Sequence, residues 1–190
     1  MPYCVASDVK AYLGISGSTD DTLITSMIAR TQAAIDHYTG RVFEAEANST
    51  RYFDLTTEFV RGPNLYFDRE LAAITTVTNG DGVVVSASEY VTNPRNDAPY
   101  YGIRLKSTSN KTWSYTTAWE NAISVVGRWA YSVTAPADVM QACVRWAAFM
   151  YRQKDAAFQD ITAIDSGVAI TPVNMPGDVA ALLRPYKRAV

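Results

Sequence analysis

The chain has 190 residues, of which 48% are hydrophobic and 19% are charged, and its formal net charge is -2. A chain of this length buries roughly 70% of the surface that it exposes when unfolded, so it can build a core without disulfides or metal. The composition excludes a disordered chain, and the near-neutral charge excludes a global basic field for nucleic acid. Cys4 and Cys143 match no zinc spacing and no disulfide framework, so we expect two reduced thiols.

The first residues lack a basic stretch followed by an apolar run, so we expect no signal peptide. Nor does any stretch approach the ~20 apolar residues that a membrane helix needs. We therefore expect synthesis in the cytoplasm and no membrane partner.

Two helices are predicted in the first forty residues. Ser7 can cap a short helix that ends at Gly14. Asp20 or Asp21 can cap a longer helix that ends at Gly40. Three- and four-residue spacing predicts one buried stripe on the longer helix. Its residues are Leu23, Ile24, Met27, Ile28, Ala34, Ile35 and Tyr38.

From Arg41 to Ser132 the pattern changes to short runs rich in β-branched and aromatic residues, broken by turn residues. Residues 79–82, Asn-Gly-Asp-Gly, predict a hairpin because asparagine and glycine accept positive φ. The link Asn93–Tyr101 contains two prolines, and we expect it to cross a sheet edge or a barrel end. The predicted strands are Thr50–Leu55, Ile74–Thr78, Val83–Ala87, Gly102–Leu105 and Ile123–Trp129.

Helical signals return at Pro136, which opens a second long helix ending near 153–155. Residues 156–175 are predicted to be a loop, and Pro176 then starts a short helix that Pro185 breaks. The predicted buried face of the long helix contains Val139, Met140, Cys143, Val144, Ala147, Met150 and Tyr151.

This order of elements predicts an α+β fold. Two long helices and short terminal helices form a helical core, into which an antiparallel β sheet or small barrel is inserted. We expect residues 1–45 and 133–190 to form the core and residues 46–132 to form the inserted β lobe.

No catalytic residue, metal ligand or cofactor site is predicted. The single histidine, His37, has only Asp36 beside it, and adjacent helical residues point about 100° apart. Asp20 and Asp21 are explained by helix capping and by the helix dipole. Residues 79–82 lack the further acidic positions of a calcium loop.

Nine of the aromatic residues between positions 52 and 119 are candidates for a binding face, a core or an interface. Exposed aromatics suit a sugar- or nucleic-acid-binding face, but the basic residues that nucleic acid needs are sparse. Core and subunit interfaces are therefore favoured. The residues are Tyr52, Phe53, Tyr66, Phe67, Tyr100, Tyr101, Trp113, Tyr115 and Trp119.

Three segments, in this order, resemble the head-tail connector (adaptor) family of tailed bacteriophages. The first joins Asp8–Ile15 and Asp20-Asp21 to the helix end Ile35–Arg41. The second is Val125–Tyr131 followed by Pro136–Val139, and the third is Met175–Val179 followed by Leu182–Arg188. No single segment is specific, so their joint presence carries the resemblance, which covers roughly half of the chain.

The resemblance implies a virion structural protein of the phage neck. Such a protein forms a ring, usually a dodecamer, that binds below the portal protein, contacts the next neck or tail protein and continues the DNA channel. Genomic DNA would pass without sequence-specific contact. Similar proteins direct their C-terminal segment toward the portal, which makes Leu182, Leu183, Arg184, Tyr186, Lys187 and Arg188 the predicted portal contacts. The β lobe departs from the compact members, which are nearly all helical.

Two other functions stay open at the level of sequence. One is a stopper or tail-completion protein of the same neck. The other is a carbohydrate-binding module that uses Trp113 or Trp119. Ring formation favours the connector or the stopper, whereas a glycan-binding monomer favours the module. A hydrolase is the weakest alternative, since no nucleophile elbow is present.

Overall fold

A computed structural model of the protein describes residues 2–45, 47–156 and 175–188. The chain divides into two compact units. The β unit comprises Val42–Thr134, and the helical unit comprises Pro2–Arg41 together with Ala135–Val190. The helices are α1 (Ala6–Leu13), α2 (Asp21–Thr39), α3 (Ala137–Ala156) and α4 (Gly177–Leu183). The strands are β1 (Ser49–Phe53), β2 (Val60–Arg61), β3 (Asn64–Leu71), β4 (Ala73–Thr78), β5 (Val84–Val85), β6 (Tyr90–Asn93), β7 (Tyr100–Leu105) and β8 (Ile123–Arg128).

Helix α2 buries the stripe that its spacing predicts. Ile24 and Ile35 are fully buried, and Met27 and Ile28 are nearly so. Leu23 was predicted wrongly, because it is 39% exposed. Adjacent residues of a helix point about 100° apart, so Leu23 lies outside the stripe to which Ile24 belongs.

The sequence predicts the C-terminal end of α2 better than its N-terminal end. Gly40 ends the helix in a left-handed conformation, as predicted, and its N–H donates to the Asp36 carbonyl at 2.8 Å. Asp20 occupies the N-cap position, but its side chain makes no capping hydrogen bond. Its carboxylate instead accepts from the Tyr151 hydroxyl of α3 and lies 3.7 Å from Lys154 Nζ.

The N-cap of α1 lies two residues before the predicted cap. Val5 is the N-cap residue rather than Ser7, and its N–H donates to the Asp8 carboxylate at 2.9 Å. Gly14 ends the helix in a left-handed conformation, which confirms the predicted end.

Helix α3 packs against α1, α2 and α4. The predicted buried residues Val139, Cys143 and Ala147 have no exposed surface. Val144 and Met150 are half-buried, and Met150 Sδ accepts from the Thr31 hydroxyl of α2 at 3.4 Å. Met140 was predicted wrongly, because it is 39% exposed. The sequence reasoning did not select the buried residues Ala142, Trp146 and Ala148.

Two four-stranded antiparallel sheets build the β unit. The strand order is β1-β8-β4-β5 in the first sheet and β2-β3-β7-β6 in the second, and neither is a closed barrel. The α+β class and the antiparallel sheet are confirmed, whereas the alternative of a small barrel is not. The core of this unit consists of Phe53, Leu65, Leu71, Val77, Val85, Ile103, Leu105, Trp113, Ile123 and Val125.

The predicted hairpin at residues 79–82 is present. Strand β4 pairs with β5, and the Asn79 N–H donates to the Val83 carbonyl at 2.9 Å across the turn. The prolines of the 94–99 link do not mark a crossing, however. This link joins β6 to β7, which pair directly with Asn93 opposite Gly102, so it is a long hairpin loop.

Gly127 lies where β8 passes close to β4. A Cβ atom at this position would lie 2.3 Å from the Ala73 carbonyl oxygen and 2.8 Å from Leu71 Cδ1. The Ala73 carbonyl belongs to the backbone and cannot move aside as a flexible side chain can. This position of the first sheet therefore requires glycine.

None of the helices in the described part of the chain has the length and apolarity to cross a membrane. The loop predicted for 156–175 lies almost wholly outside the described residues.

Candidate functional site

The predicted portal contacts lie in one short segment that is docked on its own helical unit. This C-terminal segment, residues 175–188, forms α4 and then a 3-10 turn over Arg184–Tyr186. Helix α4 packs against α3 and buries Val179 and Leu183 completely. Full burial of a leucine side chain contributes roughly 1.5–3 kcal/mol, so these two residues supply the apolar part of the docking.

Two hydrogen bonds tie the end of this segment to the end of α2. The Arg188 N–H donates to the Thr39 carbonyl at 2.8 Å, and Arg41 Nε donates to the Tyr186 carbonyl at 2.6 Å. Gly40, between Thr39 and Arg41, has no side chain to obstruct this approach, and a Cβ there would already lie 3.6 Å from Arg188 Cβ. Thr39 and Arg41 are functional residues of the docking that sequence reasoning missed. Only their place at the end of a helix could have marked them.

Charged and aromatic side chains add weaker contacts. Arg145 of α3 donates to the Asp178 carboxylate at 2.9 Å and holds the pKa of Asp178 below its usual value. The pair is exposed, and exposed pairs typically stabilise by about 0.2–1 kcal/mol. Lys187 Nζ lies 5.3 Å from the centre of the Tyr38 ring. These contacts position the segment without burying its charges.

The six predicted contact residues divide by exposure. Leu183 has no exposed surface, so it anchors the segment to its own subunit and was wrongly assigned to a partner surface. Tyr186 is half-buried and its hydroxyl lies 3.4 Å from an Asp138 carboxylate oxygen. The remaining four are exposed or half-buried, and we refer to them as the C-terminal patch: Leu182, Arg184, Lys187 and Arg188.

The ionisable side chains that were weighed for catalysis lie at opposite ends of α2. His37 is exposed near the end of α2. Asp21 accepts from Lys10 Nζ at 2.6 Å, and Asp20 is held by Tyr151, so both carboxylates already have structural partners. Across the described residues, no three histidine, cysteine or acidic side chains come together in a way that could hold a metal ion.

The aromatic residues of the β unit are partly core. Phe53 packs against Phe59, Phe67 and Trp129 with ring centres 5.5–5.9 Å apart. Trp113 is 9% exposed and donates to the Pro63 carbonyl at 3.0 Å, so it cannot present a flat face to a sugar. Trp119, Tyr52, Tyr66, Tyr101 and Tyr115 are exposed at 37–60%. The core interpretation therefore holds for Phe53 and Trp113, and the exposed tyrosines are available for partners.

An open groove of about 500 Å³ lies beside strands β4 and β6 of the β unit. Arg95 and the phenol groups of Tyr90 and Tyr100 are its polar side chains, together with Thr92. Burial, and secondarily the neighbouring Tyr100, raise the pKa of Tyr90, so its phenol stays neutral at physiological pH. The groove holds no acid-base pair.

The whole chain shares its fold with chains in solved structures of gene transfer agent (GTA) particles. It matches a chain in "Neck of empty GTA particle computed with C6 symmetry" with a TM-score of 0.59 and 15% identity, covering 100% of this chain and 90% of that one. A chain in "Neck of native GTA particle computed with C12 symmetry" matches with a TM-score of 0.56 and 14% identity, covering 97% and 88%. A third, in "Virion of native gene transfer agent (GTA) particle", has a TM-score of 0.55 and 16% identity, covering 100% and 90%.

Residues 6–79 match the family model of the phage gp6-like head-tail connector protein. This range contains α1, α2 and the first four strands. The match confirms the resemblance to head-tail connector proteins that the sequence predicts. None of the curated proteins matches the chain.

Proposed function

We propose that the protein is a structural component of a phage neck, an adaptor that forms a ring below the portal and links head to tail. The observation that carries this function is the connector-family match over residues 6–79, on a chain whose full length shares its fold with neck subunits. A structural family also argues against an enzyme, and we propose neither a catalytic role nor a cofactor.

The symmetry of the similar particles supports ring formation. Their necks were solved with C6 and C12 symmetry, and a closed ring requires that each subunit presents two different faces that meet after a fixed rotation. We propose a dodecamer for this chain. The exposed tyrosines of the β unit suit such faces, because aromatic residues are enriched in protein interfaces.

The C-terminal patch is the proposed contact with the portal protein. Three of its four residues are cations, and Leu182 adds apolar surface beside them. Because the patch is carried on a docked segment, it is presented in a fixed position and little conformational entropy is lost on binding. We expect the portal surface that receives it to be acidic.

The remaining partners follow from the position of the ring. The face away from the portal would contact the next neck or tail protein, and the inner wall would surround genomic DNA during its passage. A wall that lets DNA pass should not hold phosphates tightly. The net charge of -2 is consistent with such a wall.

The first experiment measures the mass of the purified protein by light scattering after size exclusion, alone and mixed with its cognate portal protein. A closed oligomer, or a monomer that joins the portal ring, supports the adaptor function. A monomer that neither self-assembles nor binds the portal contradicts it.

The portal assignment has its own matched control. Replacing Arg184, Lys187 and Arg188 by glutamate should abolish portal binding while the subunit stays folded. The same triple charge reversal at three exposed cations of the β unit, Arg69, Arg104 and Lys106, changes the net charge equally and should leave binding intact. Equal losses in both variants would show a non-specific charge effect and contradict a dedicated patch.

A further inference from the structure

The first described residues of the chain are anchored inside the helical unit. Tyr3 is 1% exposed, and its hydroxyl donates to the Asp36 carboxylate of α2 at 2.5 Å. Its backbone N–H donates to Gln32 Oε1 at 3.3 Å. Cys4, the next residue, is 3% exposed. This anchor precedes α1 and belongs to no predicted element.

The anchor brings the only two cysteines of the chain together. Cys4 Sγ lies 3.0 Å from Cys143 Sγ of α3, although the two residues are 139 positions apart. Both are free thiols, and Cys143 has no exposed surface. Nothing in the cysteine spacing predicts this meeting, because it depends on the packing of residues 2–5 against α3.

We propose that Cys4 and Cys143 are an oxidation site that closes an intramolecular disulfide and fixes residues 2–5 to α3. The thiols stay reduced in a reducing cytoplasm and are oxidised once the protein meets an oxidising environment, as in a released particle. The proposal rests on the packing of the helical unit and does not depend on the portal assignment.

A peroxide is the oxidant that fits this buried pair, because it is small. The Cys4 sulfur attacks one peroxide oxygen, the oxygen–oxygen bond breaks, and Cys4 becomes a sulfenic acid while one water leaves. The Cys143 sulfur then displaces the sulfenic oxygen, which takes the Cys143 proton and leaves as a second water. The balance is two thiols and one hydrogen peroxide to one disulfide and two waters, with both sulfurs oxidised and the peroxide reduced.

The order of attack follows from the surroundings of each thiol. Hydrogen bonding to Cys4, together with burial, raises the pKa of the Cys143 thiol far above its usual range, so Cys143 stays protonated. Cys4 is 3% exposed whereas Cys143 has no exposed surface, and Cys4 lies on a short segment outside the helices, so local opening exposes Cys4 first. Oxidation is therefore slow in the closed fold and faster when residues 2–5 open.

The disulfide would stabilise the fold by restricting the unfolded chain. The stabilisation grows with the number of residues between the two cysteines, and here that loop contains most of the chain. The sulfurs already lie close together in the reduced fold, so the bond forms without a large backbone movement.

The test treats the native full-length protein with hydrogen peroxide and then counts free thiols in denaturant. We expect both thiols to disappear, the intact mass to fall by two hydrogen atoms, and a digest to contain a Cys4 peptide linked to a Cys143 peptide. A phosphine reductant should restore both thiols. The oxidised protein should unfold at a higher denaturant concentration than the reduced protein.

The Cys4→Ala variant is the control, and it should show neither the linked peptide nor the shifted midpoint. If this variant does not fold, the linked peptide and the unfolding midpoints of oxidised and reduced wild type still test the proposal. Retention of both thiols, oxygen addition to one cysteine without a link, or cross-links only between different chains would each overturn the proposal.

Discussion

Replacing Leu183 by alanine should undock the C-terminal segment. Leu183 is fully buried, and truncation of a buried leucine costs about 2–5 kcal/mol, from lost burial and from the cavity that remains. Only Val179 and Leu183 are fully buried in the described part of this segment, so the loss removes a large share of its apolar contact. At ~2–4 °C per kcal/mol for 150–250 residues, the melting temperature should fall by about 4–20 °C.

Calorimetry combined with hydrogen exchange measures both consequences. The Arg188 amide, which donates to the Thr39 carbonyl in the docked segment, should lose its protection in Leu183→Ala. Leu182→Ala deletes the same atoms one position away, where the side chain is half-buried, and should lower stability by less than about 1.5 kcal/mol. Equal destabilisation by the two variants, or an unchanged Arg188 amide, would refute the docking argument.

Three further substitutions test the first sheet, the hairpin and the half-buried Asp36. Gly127→Ala should prevent the first sheet from forming, since its Cβ would lie 2.3 Å from a backbone carbonyl, and circular dichroism of the purified variant should show lost strand content. Asn79→Ala should cost about 1–3 kcal/mol in denaturant unfolding, because the 2%-exposed side chain donates to the Thr112 carbonyl and accepts from the Ser114 N–H. Burial raises the pKa of Asp36 above 3.8 despite its hydrogen bond from Tyr3, so wild type should lose stability as pH rises through that raised pKa. Asp36→Asn should remove this loss, and parallel pH–stability curves for the two proteins would contradict it.

The helices could be predicted because their signals are local. The α2 stripe repeats every three or four residues, and Gly40 closes the helix without help from distant residues. The prediction that Leu23 is buried was wrong, because the sequence does not show whether an apolar residue next to the stripe belongs to the stripe. For the same reason the sequence could not distinguish half-buried Leu182 from fully buried Leu183, since α4 has only seven residues and its rotation is set by α3.

Strands β2, β3 and β6 are absent from the sequence prediction, because they depend on tertiary contacts. Strand β3 is the longest strand described, yet Asp68, Arg69 and Glu70 interrupt its alternation and its register shifts between Tyr66 and Leu71. Its charges are stabilised by residues from elsewhere, because Arg51 of β1 pairs with Asp68 and the Tyr101 hydroxyl lies 3.2 Å from Glu70. The meeting of Cys4 with Cys143 is long-range in the same way, so spacing could not reveal it.

The two units become complete at different stages of synthesis on the ribosome. The β unit is one continuous stretch, Val42–Thr134, and all of its strands have been synthesised before α3 begins. The helical unit is built from residues on both sides of that stretch, so its first helices must wait for α3 and then for the segment that bonds Thr39 through Arg188. Domains generally fold as units during synthesis. A chain cut short before residue 175 would therefore carry a finished β unit and an open helical unit that lacks the C-terminal patch. If the patch is the portal contact that we propose, such a chain could not join the assembly.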